Sequence, residues 1–309
     1  MKIAISGIGG VGGYFGGLLA KQFRDSSDAE IFFIAKGENE KAIQKDGLQL
    51  FTSKGNYIVH PKLVTSDTKL IGKVDLLVCC TKSYDLEENM LQCRPCINSP
   101  TIILPLLNGV DSRHTIEKIF PANEICDGCV YLISRLTSPG IVKQTSNISK
   151  LFFGCGNNSN QRLKNIEELF KQAGIEAALS GNIQQVIWEK FVFISVIATL
   201  TSYFDCSIGN ILADRNKKDR LHSLLSEIKL VADKKKISLP ENIIQLTLDI
   251  MIALPFETTS SMHSDFQKRG RTELESLTGY VVRAANEFTI PVPTFEMMYE
   301  FLKNKKQFN

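Results

Sequence analysis

The sequence predicts an α/β protein in which an N-terminal, doubly wound, parallel sheet precedes an all-helical C-terminal domain. Three observations carry this prediction. Short β-branched runs alternate with helical stretches in the first half, a G-x-G-x-x-G turn follows the first of those runs, and after about Ile175 strand signals thin out while helical patterns continue through Asn309. Strands that are apolar throughout and separated by helices belong to a parallel sheet covered on both faces. At 309 residues the chain has room for two cores, and the change of pattern near residues 176–182 divides it into domains 1–178 and 179–309.

Lys2 to Ser6 reads as the first strand and Tyr14 to Phe23 as the first helix, with Gly7, Gly9 and Gly12 between them. In a strand, turn and helix of this kind the first glycine permits the turn and the second admits the backbone close to a pyrophosphate. The third lets helix and strand pack, and the helix N-terminus offers unpaired N–H groups to the anion. The turn residues Gly7, Ile8, Gly9, Gly10, Val11 and Gly12 are therefore expected to hold a dinucleotide on a Rossmann-type domain. The second strand, Ile31 to Ala35, ends at Lys36, where an NAD site would carry an acidic residue. A cation there suits a 2′-phosphate, so NADPH is the expected cofactor, although Glu38 lies two residues on.

Gln49 to Val59, with Ser53, Lys54, Gly55 and Asn56 in its middle, reads as a hairpin or antiparallel excursion. Leu76 to Cys80 and Thr101 to Leu104 are further buried strands, and a second β-rich stretch runs from Cys129 to Phe153, broken at Ser138, Pro139 and Gly140. Asn182 to Asp205 is apolar nearly all round and reads as the central helix of the second domain. Its most apolar run, Phe191 to Phe204, is 14 residues, short of the roughly 20 that span a bilayer.

Lys and Arg number 36 against 33 Asp and Glu, a net charge of +3 that gives no reason to expect nucleic acid or a membrane as partner. Met1 to Ser6 passes straight into the glycine turn without a signal-peptide pattern, so a cytoplasmic location and reduced thiols are expected for the eight cysteines. Cys93 with Cys96 and Cys126 with Cys129 form C-x-x-C pairs, but the second leads into a strand without knuckle glycines, and no metal site is expected. The run Asp233 to Lys236, with its three lysines, reads as a solvated helix face, and His60, His114, His222 and His263 as structural or surface residues.

Three further segments stand out: Cys80-Thr-Lys82-Ser-Tyr-Asp85; Leu104-Pro-Leu-Leu-Asn108-Gly109-Val-Asp111; and the distant set Trp188-Glu-Lys190, Ser260-Ser261-Met-His-Ser-Asp265 and Arg271-Thr-Glu273. Together they resemble the ketopantoate reductase (2-dehydropantoate 2-reductase) family from Lys2 to about Gly279. The resemblance implies an NADPH-binding Rossmann domain, a helical domain, and a substrate between them. By position it implies that Lys190 is the catalytic lysine and that Asn108 lies beside the nicotinamide. Lys36 and Lys82 would lie near the adenosine phosphate, and Ser261 and Glu273 would hold the substrate, with Asn108 and Lys190 also touching it. The implied reaction is reduction of a 2-oxo acid, foremost 2-dehydropantoate to pantoate for pantothenate and coenzyme A synthesis.

The residue types suit such chemistry. Hydride addition builds negative charge on a carbonyl oxygen, which an ammonium stabilises and protonates. Trp188, Phe191 and Phe193 are expected to desolvate Lys190 and lower its pKa. Glu273 is expected to orient Lys190 or to accept from a substrate hydroxyl. Ser261 and Glu273 can serve one small substrate only if the chain bends between them, and Gly270 is the expected break. Four and eight residues beyond Lys190, where the family pattern has asparagines, stand Ile194 and Ala198, leaving Ser195, Thr199 and Thr201 as the nearby hydroxyls. Another branched 2-oxo acid or ketone therefore stays open. So do a non-catalytic NADP-binding regulator and a polyol-phosphate or sugar-acid dehydrogenase. The sequence does not set the oligomeric state, and a homodimer is compatible with it.

Overall fold

The computed structural model describes residues 1–156 and 160–307. The last two residues of the helical stretch expected through Asn309 lie outside the described residues. The chain forms two compact units, Met1–Leu107 with Ser112–Ile183, and Asn108–Asp111 with Gln184–Asn309.

The first unit contains, in chain order, β1 (Lys2–Ser6), α1 (Gly10–Gln22), β2 (Glu30–Ile34), α2 (Gly37–Asp46), β3 (Leu48–Thr52), β4 (Gly55–Val59), β5 (Leu63–Thr65), β6 (Leu76–Cys79), α3 (Leu86–Cys93), β7 (Ile102–Pro105), α4 (Ser112–Ile119), β8 (Glu124–Ile125), β9 (Asp127–Ser138), β10 (Ile141–Gly154), α5 (Gln161–Gln172) and β11 (Glu176–Leu179). Its main sheet has the order β5-β2-β1-β6-β7-β8 with every pair parallel. Renumbered along the chain this is 3-2-1-4-5-6, the dinucleotide-binding order, whose switch point lies between β1 and β6.

Period-two alternation fills both faces of that sheet. Ile3, Ile5, Ile31, Phe33 and Val78 enter one core with Phe15 and Leu19 of α1, whereas Ala4, Phe32, Ile34 and Leu77 enter another with Met90 of α3. Each such fully buried large side chain contributes about 1.5–3 kcal/mol. The expected hairpin is β3–β4, but it belongs to a second sheet, β11-β10-β3-β4, on which β9 pairs with β10.

Two expectations need correction here. The stretch after Ile175 is not yet helical, because Glu176–Leu179 pairs in parallel with Lys150–Phe153. The first compact unit runs on to Ile183. The first helix starts at Gly10 rather than Tyr14, since the glycine turn itself supplies the first helical amides.

The second unit is helical: α6 (Ile183–Phe204, from Gln184 on), α7 (Ile208–Ala213), α8 (Arg215–Lys234), α9 (Ile243–Ile252), α10 (Ser261–Gln267), a π-helical turn at Glu275–Gly279, α11 (Tyr280–Glu287) and α12 (Pro293–Gln307). Its core gathers Trp188, Phe191, Val192 and Val196 of α6 with Leu221, Leu225 and Ile228 of α8 and Phe295 and Met298 of α12. Among the described residues α6 is the one helix long and apolar enough to cross a membrane, and 61% of its apolar window is buried inside the protein. That is the burial expected of a core helix.

Candidate active site

In the first unit the candidate site forms at the carboxyl ends of β1, β2 and β6. Gly7 has φ +88°, a left-handed conformation that glycine adopts without strain, and its N–H donates to the Ile34 carbonyl at 3.2 Å. Gly9 is the N-cap of α1 and offers no capping side chain, and no acidic residue stands in the first turn. The leading N–H groups of α1 therefore face outward as a ready anion site. A Cβ at Gly12 would run into the Gly7 carbonyl, and one at Gly10 into the Ser134 carbonyl. At Gly9 a Cβ would meet no protein atom within 4 Å. Close packing thus demands Gly7, Gly10 and Gly12, while the bare face of Gly9 is open to a ligand, and this arrangement fits a dinucleotide pyrophosphate.

Beside the turn lies a cavity of about 280 Å³ lined by Gly7, Ile8, Ala35, Lys36, Thr81 and Asp85, with Asn39, Glu88 and Asn89 also facing it. It sits at the switch point of the sheet, the place where open α/β sheets bind ligands. A larger cavity of about 460 Å³, lined by Met1, Asp75, Ile102 and Arg162 among others, lies at the amino ends of the strands, away from these groups. Lys36 caps α2 and is exposed, with its Nζ 3.7 Å from Glu88 Oε1. Lys82 is half-buried directly before the short turn Ser83–Asp85.

Asn39 has no signal in the sequence, yet it ties the turn down. Its Nδ2 donates to the Ile8 carbonyl at 2.8 Å and its Oδ1 accepts from the Gly140 N–H at 2.8 Å. The bridged positions are 31 and 101 residues away in the chain, which is why no local pattern could have revealed it.

In the second unit Lys190 is half-buried on α6 and donates from Nζ to Asn108 Oδ1 at 3.0 Å. Asn108 belongs to a four-residue segment held by Gly109 at φ +101°. The ring pairs Trp188 with Phe191, Trp188 with Tyr280 and Phe191 with Tyr280 meet edge to face at 5.4, 6.1 and 5.6 Å, forming an aromatic cluster beside Lys190 in the chain. Burial raises the Tyr280 hydroxyl above its ordinary pKa, so it stays protonated. Glu273 is 3% exposed, and the hydroxyl of its neighbour Thr272 has no hydrogen-bond partner. The π-helical turn that follows is a device common at functional sites.

Ser261 is exposed in the first turn of α10, whose N-cap is Ser260. The chain does break between Ser261 and Glu273, but at Arg269 with φ 54° rather than at Gly270. Arg269 and Gly270 donate to the Phe266 and Asp265 carbonyls at 3.0 and 2.9 Å, the Schellman pattern that stops a helix.

The hydroxyls of α6 are corrected too. Ser195, Thr199 and Thr201 are fully buried and bonded: Ser195 donates to the Leu277 carbonyl at 3.2 Å, Thr199 meets Thr278 at 2.8 Å, and Thr201 meets Ser260 at 2.9 Å. They fasten the residue before Ser261 and the turn after Glu273 onto the helix that carries Lys190. Ile194 is half-buried and Ala198 buried. His263 also finds a partner, with its Nε2 2.8 Å from Asp205 Oδ1. Among the described residues no cluster of three or more His, Cys, Asp or Glu side chains could hold a metal ion.

The model of ketopantoate reductase PanE/ApbA matches residues 3–158, and that of its C-terminal part matches residues 182–306. The chain belongs to the ketopantoate reductase family. As a member of the ketopantoate reductases it is an NAD(P)-dependent oxidoreductase acting on CH–OH groups. The 2-dehydropantoate 2-reductase structure from Porphyromonas gingivalis is 34% identical, with a TM-score of 0.86 over 98% of this chain and 99% of that one. An uncharacterized oxidoreductase of Bacillus subtilis, YkpB, is 27% identical over 98% of each chain. A D-mandelate dehydrogenase solved with NADH and anilino(oxo)acetate shares the fold, at 23% identity and a TM-score of 0.87 over 99% of each chain.

Proposed function

We propose that this ketopantoate reductase relative reduces a branched 2-oxo acid with NADPH, 2-dehydropantoate foremost, with Lys190 as general acid. In this reading the glycine turn and residues 1–178 hold the cofactor, residues 179–309 supply the substrate-binding and catalytic groups, and the setting is cytoplasmic, which eight free cysteines fit. The observation that carries it is the 3.0 Å bond from Lys190 Nζ to Asn108 Oδ1. An amide oxygen that accepts an ammonium proton fixes the direction of the lysine and keeps it charged. The nicotinamide supplies the hydride when bound. Lys190 stabilises the charge that builds on oxygen and delivers the proton. Ser261 and Glu273 hold the substrate, Glu273 by accepting from a hydroxyl, while Lys36 and Lys82 meet the adenosine phosphates.

A second substrate reading has its own support. Ile194 and Ala198 offer no polar contact, and the hydroxyls of Ser195, Thr199 and Thr201 are spent on internal bonds. A site so walled suits a more apolar 2-oxo acid or ketone as well as it suits dehydropantoate. Steady-state NADPH oxidation over a panel of 2-oxo acids that includes 2-dehydropantoate, repeated with NADH, decides among these. The highest kcat/KM is expected on 2-dehydropantoate with NADPH. A higher value on an unhydroxylated acid moves the substrate assignment, and no turnover on any of them removes the reading.

A further inference from the structure

The cavity at the ends of β1, β2 and β6 carries charges of both signs. Lys36 is the cation, and Asp85 and Glu88 are the carboxylates. The other acidic residues near Lys36 in sequence are occupied: Glu38 pairs with Lys41 at 2.9 Å, and Glu40 accepts from the Ser66 N–H at 2.9 Å. Glu88 is different. Its Oε1 accepts from Gln92 Nε2 one turn along α3 at 2.7 Å, which holds the carboxylate in place, and the same oxygen lies 3.7 Å from Lys36 Nζ.

We propose that Glu88, by holding Lys36 in an ion pair, sets how strongly this protein distinguishes NADPH from NADH and keeps that preference narrow. The proposal rests on the reading that the adenosine end of the cofactor lies beside Lys36. A 2′-phosphate must take the ammonium from Glu88 and then keep its own negative charge near a carboxylate, and both requirements weaken binding. The 2′-hydroxyl of NADH makes neither demand, and it is a donor that a carboxylate at this position can accept from. Glu88 therefore opposes one cofactor and tolerates the other. The pair is exposed, with side chains 58% and 72% accessible, so its leverage is that of a surface ion pair, roughly two- to fivefold in affinity.

The test is direct binding to the full chain, by fluorescence titration with NADPH and NADH and by calorimetry with 2′,5′-ADP and 5′-AMP. Glu88→Gln keeps the shape and an accepting oxygen while removing the charge. It is expected to tighten NADPH and 2′,5′-ADP by roughly two- to fivefold and to leave NADH and 5′-AMP unchanged. Glu38→Gln, the same change of net charge outside the cavity, is expected to move none of the four. A shift shared by all four ligands, no shift, or an equal effect from Glu38→Gln overturns the proposal. If the unaltered protein binds neither NADPH nor NADH, the cofactor reading itself has failed. If it binds both and Glu88→Gln leaves their ratio fixed, only the role of Glu88 falls.

Discussion

Lys190 and Cys155 show how much a single side chain depends on what faces it. Lys190 touches Asn108, and in the general-acid role proposed above, removing its ammonium takes away both the stabilising charge and the proton. Lys190→Ala is therefore expected to lower kcat by about 10²–10⁴-fold while NADPH affinity, proposed above to come mainly from the glycine turn, stays within twofold. Retained turnover would refute the assignment. Cys155 is a case in which neighbours outweigh burial. The buried Cys126 thiol donates to its sulfur and the Arg113 guanidinium adds its field, so the Cys155 thiol is held below its ordinary range. Cys206, also half-buried, is pushed up by burial. Alkylation follows the thiolate, which forms as pH rises through the folded pKa. Iodoacetamide is therefore expected to label Cys155 well before Cys206 at pH 7, with its rate levelling off at lower pH, and Arg113→Gln is expected to slow it. Peptide mapping reads this directly, and equal rates at the two thiols would count against it.

Among the elements, α1 and β11 mark the two ends of what a sequence makes legible. The G-x-G-x-x-G turn could be read because each glycine answers a local steric demand, and the structure separates those demands. Gly12→Ala drives a Cβ into the Gly7 carbonyl and to within 2.9 Å of the Cys80 Cβ, whereas Gly9→Ala meets no protein atom within 4 Å. Gly12→Ala is accordingly expected to cost about 1–3 kcal/mol of stability together with nucleotide binding. Gly9→Ala should keep the melting temperature and lose affinity alone. A thermal melt beside an NADPH titration distinguishes them, and a destabilised Gly9→Ala would show that its open face is part of the packing. β11 could not be read, because Glu-Ala-Ala-Leu has no strand propensity of its own and is extended only through its pairing with β10. For the same reason the sequence carried no sign of the Asn39 bridge, of the Glu88–Lys36 pair or of the bonding of Thr201. Those roles are set by partners far along the chain, as in the 59-residue reach from Thr201 to Ser260.

At the scale of the molecule, chain order and structural unit are not the same thing. Asn108–Asp111 follows a strand of the first unit yet groups with the second, where Asn108 meets Lys190, and no reading of composition along the chain could have assigned it there. Each unit nonetheless has a core of its own, centred on Ile5, Phe15 and Phe33 in one and on Trp188, Leu225 and Phe295 in the other. Separate cores open as separate cooperative units, so a ligand held by one should protect that one. At a hundredfold excess over Kd, NADPH adds about 2.7 kcal/mol to whatever it binds, or roughly a hundredfold in exchange rate for amides that exchange only through opening of that unit. Hydrogen exchange is therefore expected to slow by that factor in β1, β2 and α1. Amides around Leu221, Leu225 and Ile228 of α8 should exchange as before. Equal slowing in α8 would mean that the two cores unfold as one, and unchanged exchange in β1 would remove the nucleotide from the glycine turn altogether.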